Sequence, residues 1–142
     1  GGEGMFVNEF KGAQGGEVVF APSLSGQIVH RKLDGSQGLI LEAGAYLAST
    51  GDVDAKLKWT GFRSLISGEG LIMLECTGAG DLFFNAYGGV TPVQVNGTYR
   101  VDTGHIVAFD PTLKFAIKSV GGLKSLMFSG EGLVCEFSGQ GT

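Results

Sequence analysis

Histidine, cysteine and proline are scarce in this 142-residue chain, which has two histidines, two cysteines and three prolines. The histidines, His30 and His105, cannot supply the three or four ligands of a zinc site, so we predict no metal centre. The scarcity of proline excludes a collagen-like chain, although 26 residues are glycine. Cys76 and Cys135 lie in apolar runs without C-x-x-C spacing, which favours buried reduced thiols over a disulfide.

Basic clusters and long apolar segments are also lacking. The formal net charge is −4, and the densest basic pairs are Arg31 with Lys32 and Lys56 with Lys58, which is unfavourable for binding nucleic acid or an anionic membrane. The longest apolar run, residues 71–74, is far shorter than the ~20 residues that span a bilayer, so we predict no transmembrane segment. The first residues do not form a signal peptide, but the chain does not begin with methionine. We expect segments of the natural protein to be missing at both ends.

The sequence motifs of common enzymes are absent as well. No serine lies in a G-x-S-x-G elbow, and the glycine-rich stretches near Gly68 and Gly78 do not continue into a phosphate-binding P-loop. The aliphatic neighbours of both cysteines disfavour a reactive thiolate. We therefore predict that the protein is not an enzyme and has no catalytic residue and no cofactor.

The strongest positive signal is an internal repeat. A Gly-Glu-Gly phrase followed by an apolar run occurs around Glu3, Glu69 and Glu131, and these glutamates are 66 and 62 residues apart. Residues 39–48 match residues 99–108 at an offset of 60, with an acid, a glycine and an alanine in register. Residues 62–65 likewise match residues 123–126. Three anchors at nearly one spacing predict a duplicated unit.

This repeat predicts how the chain is organised. One repeat-built domain covers residues 1–142, with 1–15 as the tail of a first unit, 16–80 as a second unit, and 81–142 as a third unit cut at its end. No segment has a sustained helical period, and short β-rich runs separated by turn residues predict an all-β sandwich or barrel. The predicted strands include residues 18–20, 27–30, 38–41, 54–59, 71–76 and 106–109, with turns at Asp34-Gly35 and Asn96-Gly97.

Three phrases of the sequence resemble the altered-inheritance-of-mitochondria (AIM) family: GEGLIMLECTGAGDLFFNAYG, VDTGHIVAFD and GGLKSLMFSGEGLVCEFSGQG. The resemblance covers essentially the whole chain. It implies a fold like that of the tryptophan RNA-binding attenuation protein (TRAP), a double-stranded β-helix or β-sandwich built from repeats of about 60–65 residues. It also implies homotrimers, and a cytoplasmic location in a bacterium or a mitochondrial one in a eukaryote, where the family is linked to inner-membrane organisation.

Five residues are candidates for a ligand site or an interface. His105 replaces Ala45 at the matching repeat position and follows Asp102, whose carboxylate is close enough in sequence to orient the ring. Trp59 is the single tryptophan and is a candidate for lining a cleft. Glu69 and Glu131 recur in the Gly-Glu-Gly phrase, where a turn-stabilising role is favoured over a functional ring of acids.

These observations predict a non-enzymatic, oligomeric β scaffold or interaction module that self-associates and also has protein partners. The first alternative is a small-molecule-binding β-barrel protein with aromatic residues around its mouth. The second is an RNA-binding TRAP-like ring, which the acidic net charge and the loosely matched cations Lys56, Lys58 and Arg63 disfavour. Fold analogy alone does not decide between them.

Overall fold

A computed structural model describes residues 7–61, 71–119 and 133–142. Its regular elements are ten β-strands and two short 3-10 turns, and all strand pairs between them are antiparallel. The all-β fold class predicted from the sequence is therefore confirmed. The strands are β1 (Ile28–Asp34), β2 (Leu39–Glu42), β3 (Tyr46–Ser49), β4 (Asp54–Gly61), β5 (Leu71–Thr77), β6 (Ala79–Asn85), β7 (Val95–Asp102), β8 (Ala108–Phe109), β9 (Lys114–Ser119) and β10 (Leu133–Gly141).

The strands form three sheets. One has the order β1-β6-β3, a second the order β7-β10-β9, and a third the order β4-β5-β2-β8. The 3-10 turns, Ala43–Ala45 and Thr103–His105, follow β2 and β7 directly. The central strand β6 buries alternate side chains, Leu82 and Phe84, as expected for a strand with one face on a core. The central strand β5 buries the adjacent residues Met73 and Leu74 as well as Cys76.

Among the residues that the structure describes, two clusters of apolar side chains form the core. The first core contains eight buried residues, which are Ile40, Met73, Val95, Ile106, Phe109, Leu113, Cys135 and Phe137. The second core contains seven, which are Leu33, Leu39, Leu41, Ala45, Cys76, Leu82 and Phe84. Each core contains one of the two cysteines, and both thiols are free and fully buried.

Two local predictions were wrong. Residues 18–20 are β-rich but form no strand, because no strand within residues 7–61, 71–119 and 133–142 pairs with them; Val19 is 93% exposed. Asn96-Gly97 does not make a hairpin turn, since both residues lie inside β7 and pair with Gln140 and Gly139 of β10. An Asn-Gly pair favours a positive φ at the glycine, and Gly97 has a φ of +112° within the strand, where the chain does not reverse. The TRAP-like arrangement and the division at residues 80 and 81 stay predictions.

Candidate functional site

The 3-10 turn at Thr103–His105 is held by Asp102. Its carboxylate oxygen Oδ1 accepts a hydrogen bond from the backbone N–H of Gly104 at 2.8 Å. A Cβ at Gly104 would lie 3.2 Å from this oxygen, so the glycine leaves room for the carboxylate to fold back. Asp102 therefore stabilises the turn that carries His105.

His105 lies at the end of this turn, is exposed, and borders a groove of about 580 Å³. The groove is lined mainly by residues 89–95, by β7 and by residues 105–110, with contributions from β1, β6 and β10. Most of the lining side chains are apolar, among them Val95, Val101, Ile106, Phe109 and Phe137. The volume falls within the range of small-molecule sites.

The polar groups at the groove are few. Arg31 and Asp110 both line it, and their charged groups are 3.7 Å apart. Asp110 also accepts a hydrogen bond at Oδ2 from the backbone N–H of Thr142, at 2.7 Å. The charged and titratable side chains that line the groove are thus those of Arg31, Asp110, His105 and Tyr99.

Away from the groove, Glu136 in β10 binds two cations. Arg100 Nε in β7 lies 2.6 Å and Lys118 Nζ in β9 lies 2.5 Å from its carboxylate oxygens. Hydrogen bonds and charge from Lys118 and Arg100 lower the pKa of the Glu136 carboxyl. Sequence reasoning misses this cluster because its members are on three different strands, and only the strand register brings them together.

Neither thiol is suited to nucleophilic chemistry. Burial raises the pKa of Cys76 to about 11, with a further contribution from the charge of Asp54, and burial raises the pKa of Cys135 to about 11. A thiol with such a pKa is protonated near neutral pH. Within the described ranges, no group of three or more His, Cys, Asp or Glu side chains has the geometry to hold a metal ion.

The structure brings together two of the five candidate residues from the sequence. Asp102 and His105 belong to the same 3-10 turn beside the groove. The backbone of Trp59 lies in β4 and pairs with Met73, and its side chain is outside the described part of the structure. Glu69 and Glu131 both lie outside the described residues.

A family model described as mitochondrial biogenesis AIM24 matches residues 1–142. The chain belongs to the AIM24 family. This confirms the family resemblance of the three sequence phrases. Over the part of this AIM24 chain that the structure describes, no helix is long and apolar enough to span a bilayer.

The AIM24 chain is similar to two streptococcal proteins. An uncharacterised protein of Streptococcus pyogenes serotype M6 is 31% identical over 143 residues, which cover 99% of this chain and 57% of that protein. The crystal structure of a Streptococcus pyogenes protein has a TM-score of 0.71 and 34% identity, covering 85% of this chain and 54% of that one. The chain thus spans just over half the length of these relatives.

Proposed function

We propose that this AIM24 chain is a non-enzymatic, oligomeric β scaffold or interaction module. The observation that carries the proposal is an exposed apolar segment, residues 7–24, which we name the arm. It forms no strand and places several large apolar side chains in solvent, and exposed apolar surface of this kind is typical of protein interfaces. These side chains are Val7, Phe10, Val18, Val19, Phe20 and Leu24.

The chemistry of the described side chains supports a role without catalysis. The two thiols are buried and have raised pKa values. The Asp102 carboxylate is bound to a backbone N–H, and the Glu136 carboxylate is bound to Arg100 and Lys118. These groups have structural partners that account for their positions, and a nucleophile–base pair would need side chains placed against each other in a cleft.

A repeat-built architecture, with units at 16–80 and 81–142, is part of the same proposal, and the sheets support it. In one sheet β5 lies between β4 and β2, and in another β10 lies between β9 and β7. The strands β7, β9 and β10 lie about 60 residues after β2, β4 and β5, respectively, which is the offset that the sequence predicts. Both central strands contain a glutamate paired with a lysine of the neighbouring strand, Glu75 with Lys58 and Glu136 with Lys118.

Backbone hydrogen bonds at the same offset support it further. The N–H of Thr50 donates to the carbonyl of Asp81 at 2.9 Å, and the N–H of Asp110 donates to the carbonyl of Thr142 at 3.1 Å. In the reverse direction, the N–H of Asp81 donates to the side chain of Thr50, and the N–H of Thr142 donates to the side chain of Asp110. The contact between Thr50 and Asp81 and the contact between Asp110 and Thr142 thus have the same pattern of hydrogen bonds.

The mass of the protein in solution tests the proposed function. Light scattering coupled to size-exclusion chromatography is expected to give a defined oligomer, with the homotrimer as the expected state, and no copurified ligand. A monomer throughout a micromolar concentration series would overturn the scaffold proposal.

The groove favours one second candidate, a small-molecule-binding protein. Its apolar lining, with His105 and Arg31 at its border, fits an amphipathic molecule with an acidic group. Titration with a fluorescent fatty acid tests this candidate: saturable binding that is weakened by His105→Ala supports it, and a linear, unsaturable signal speaks against it. An RNA-binding ring receives less support, because Lys58, Lys118 and Arg100 are each paired with a glutamate.

For location, we propose the bacterial cytoplasm, or the mitochondrion in a eukaryotic source. The family description names mitochondrial biogenesis, and two free, buried cysteines fit a reducing compartment. Fractionation of cells that express the tagged protein tests this, and recovery with a secreted or periplasmic fraction would overturn it.

A further inference from the structure

A single residue, Gly78, carries the chain from one sheet to another. It alone separates β5, which ends at Thr77, from β6, which begins at Ala79, and these strands belong to different sheets. Gly78 has a φ of +104°, and a Cβ at this position would overlap the carbonyl oxygen of Asp52. Such a short connection, closed in a conformation that favours glycine, is the kind of hinge that allows two copies of a chain to exchange segments.

The two sides of this hinge complete each other's sheets. We name residues 28–77, which contain β1 to β5, the leading segment, and residues 79–142, which contain β6 to β10, the trailing segment. β6 of the trailing segment lies between β1 and β3 of the leading segment, and it pairs with the whole of β1. β8 of the trailing segment pairs with β2 at the end of another sheet. The leading segment thus has two places that strands of the trailing segment fill.

Both apolar cores are also shared between the two segments. In the first core, Ile40 and Met73 belong to the leading segment, and the other buried residues belong to the trailing segment. In the second core, Leu82 and Phe84 belong to the trailing segment, and the other buried residues belong to the leading segment. A copy whose segments separate would expose both cores to water, and the trailing segment of a second copy can bury them with the same contacts.

We propose that copies of this chain associate by exchanging their trailing segments. β6 and β8 of one copy then take the places of β6 and β8 in a second copy, and the hinge at Gly78 opens so that residues 71–85 continue as one extended stretch. The partner is a second copy of this chain, because the leading segment already matches the trailing segment in strand register and in core packing. This inference rests on the proposed oligomeric function and specifies the contact that forms the oligomer.

The polar contacts between the segments are kept in the exchanged form. Within one copy, the N–H of Thr50 donates to the carbonyl of Asp81 at 2.9 Å, and the N–H of Asp52 donates to the carbonyl of Ala79 at 3.2 Å. The carboxylate of Asp81 also lies 2.7 Å from Nε2 of His30 in β1. Each contact joins a leading segment to a trailing segment, so exchange moves it from within one copy to between two copies. The closed and exchanged forms therefore differ in the conformation of the hinge and in the number of copies, and protein concentration shifts the balance between them.

Variants of the hinge test the exchange in the full 142-residue chain. Gly78→Ala strains the closed turn and not the opened one, so we expect it to raise the ratio of oligomer to monomer by about tenfold or more. Insertion of Gly-Ser-Gly after Gly78 lengthens the hinge and is expected to lower this ratio by about tenfold or more. Gly97→Ala is the matched control, because this glycine lies inside β7 and its backbone is the same in both forms. Sedimentation velocity after refolding from urea at micromolar concentrations measures the ratio, and circular dichroism checks the strand content of each variant.

Variants with one added cysteine test that β6 of one copy lies beside β1 of another. Ile28 of β1 and Asn85 of β6 are paired in the register of these strands. Ile28→Cys and Asn85→Cys are made in separate chains, mixed in urea, refolded together and then oxidised, and exchange is expected to give disulfide-linked dimers on a non-reducing gel. Lys56→Cys mixed with Glu75→Cys is the matched control, because these paired residues both belong to the leading segment and stay within one copy. Both natural thiols are buried in the folded protein, so they contribute equally little to the two mixtures.

The outcomes separate the inference from the proposed function. If the wild-type protein is an oligomer that the hinge insertion leaves intact, and the mixture of Ile28→Cys with Asn85→Cys gives no more linked dimer than its control, the exchange is overturned and the scaffold proposal stands. If the wild-type protein is a monomer at every concentration, both are overturned. If the insertion gives a monomer and linked dimers form in the first mixture and not in the control, both are supported.

Discussion

Replacement of Gly78 by alanine tests the turn that leads the chain from β5 into β6. Gly78 has a φ of +104°, and a Cβ at this position would overlap the carbonyl oxygen of Asp52 in the adjacent loop. Gly97 is the matched control, because its φ is +112° and no heavy atom lies within 4 Å of a Cβ built there. The two variants share the backbone strain and differ in the steric overlap.

The expected free energies follow from this difference. A left-handed backbone conformation costs an alanine about 1–2 kcal/mol, and this is the whole cost at Gly97. At Gly78 the Asp52 loop must also move, which breaks the hydrogen bonds from Asp52 N–H to the Ala79 carbonyl (3.2 Å) and from Thr50 N–H to the Asp81 carbonyl (2.9 Å). Each hydrogen bond contributes about 1 kcal/mol, so Gly78→Ala is expected to cost about 3–4 kcal/mol.

Urea unfolding followed by circular dichroism measures both variants. With a denaturant slope of about 2 kcal/mol/M, the unfolding midpoint falls by about 1.5–2 M for Gly78→Ala and by about 0.5–1 M for Gly97→Ala. Equal shifts of the two midpoints would refute the reasoning, since the overlap with Asp52 would then contribute nothing. The slope itself should not change, because both variants unfold from the same fold.

Three further predictions concern the core, the ion-pair cluster and the thiols. Leu82→Ala removes a fully buried side chain and is expected to reduce the free energy of unfolding by about 2–5 kcal/mol in urea titrations; a loss below about 1 kcal/mol would contradict its burial. Because the folded state lowers the pKa of Glu136, its stabilisation is present above the ordinary value of 4.5 and is lost as pH falls through the lowered pKa. Glu136→Gln should therefore flatten this acid limb of a stability–pH curve, and an unchanged curve would contradict the ion pairing. At mildly alkaline pH, Cys76 and Cys135 should react with a thiol reagent only after urea unfolding, and rapid reaction of the native protein would contradict the pKa values of about 11.

The fold class was predictable from the sequence because strand formation here follows local patterns. The alternation in residues 54–59 and the apolar run at 71–76 reappear as β4 and β5. The bond from Gly104 to Asp102 also has a local cause, since an acid two residues before a glycine is typical of a side chain that caps its own turn. Such features depend on a few adjacent residues.

Features that depend on distant partners were not predictable. Residues 18–20 have the composition of a strand, but a strand also needs a neighbour, and the described chain provides none for them. The pairing of Glu136 with Arg100 and Lys118 depends on the register of three strands. The groove has no sequence motif of its own, because its lining comes from segments that are far apart in the chain, including β1, β6, β7 and β10.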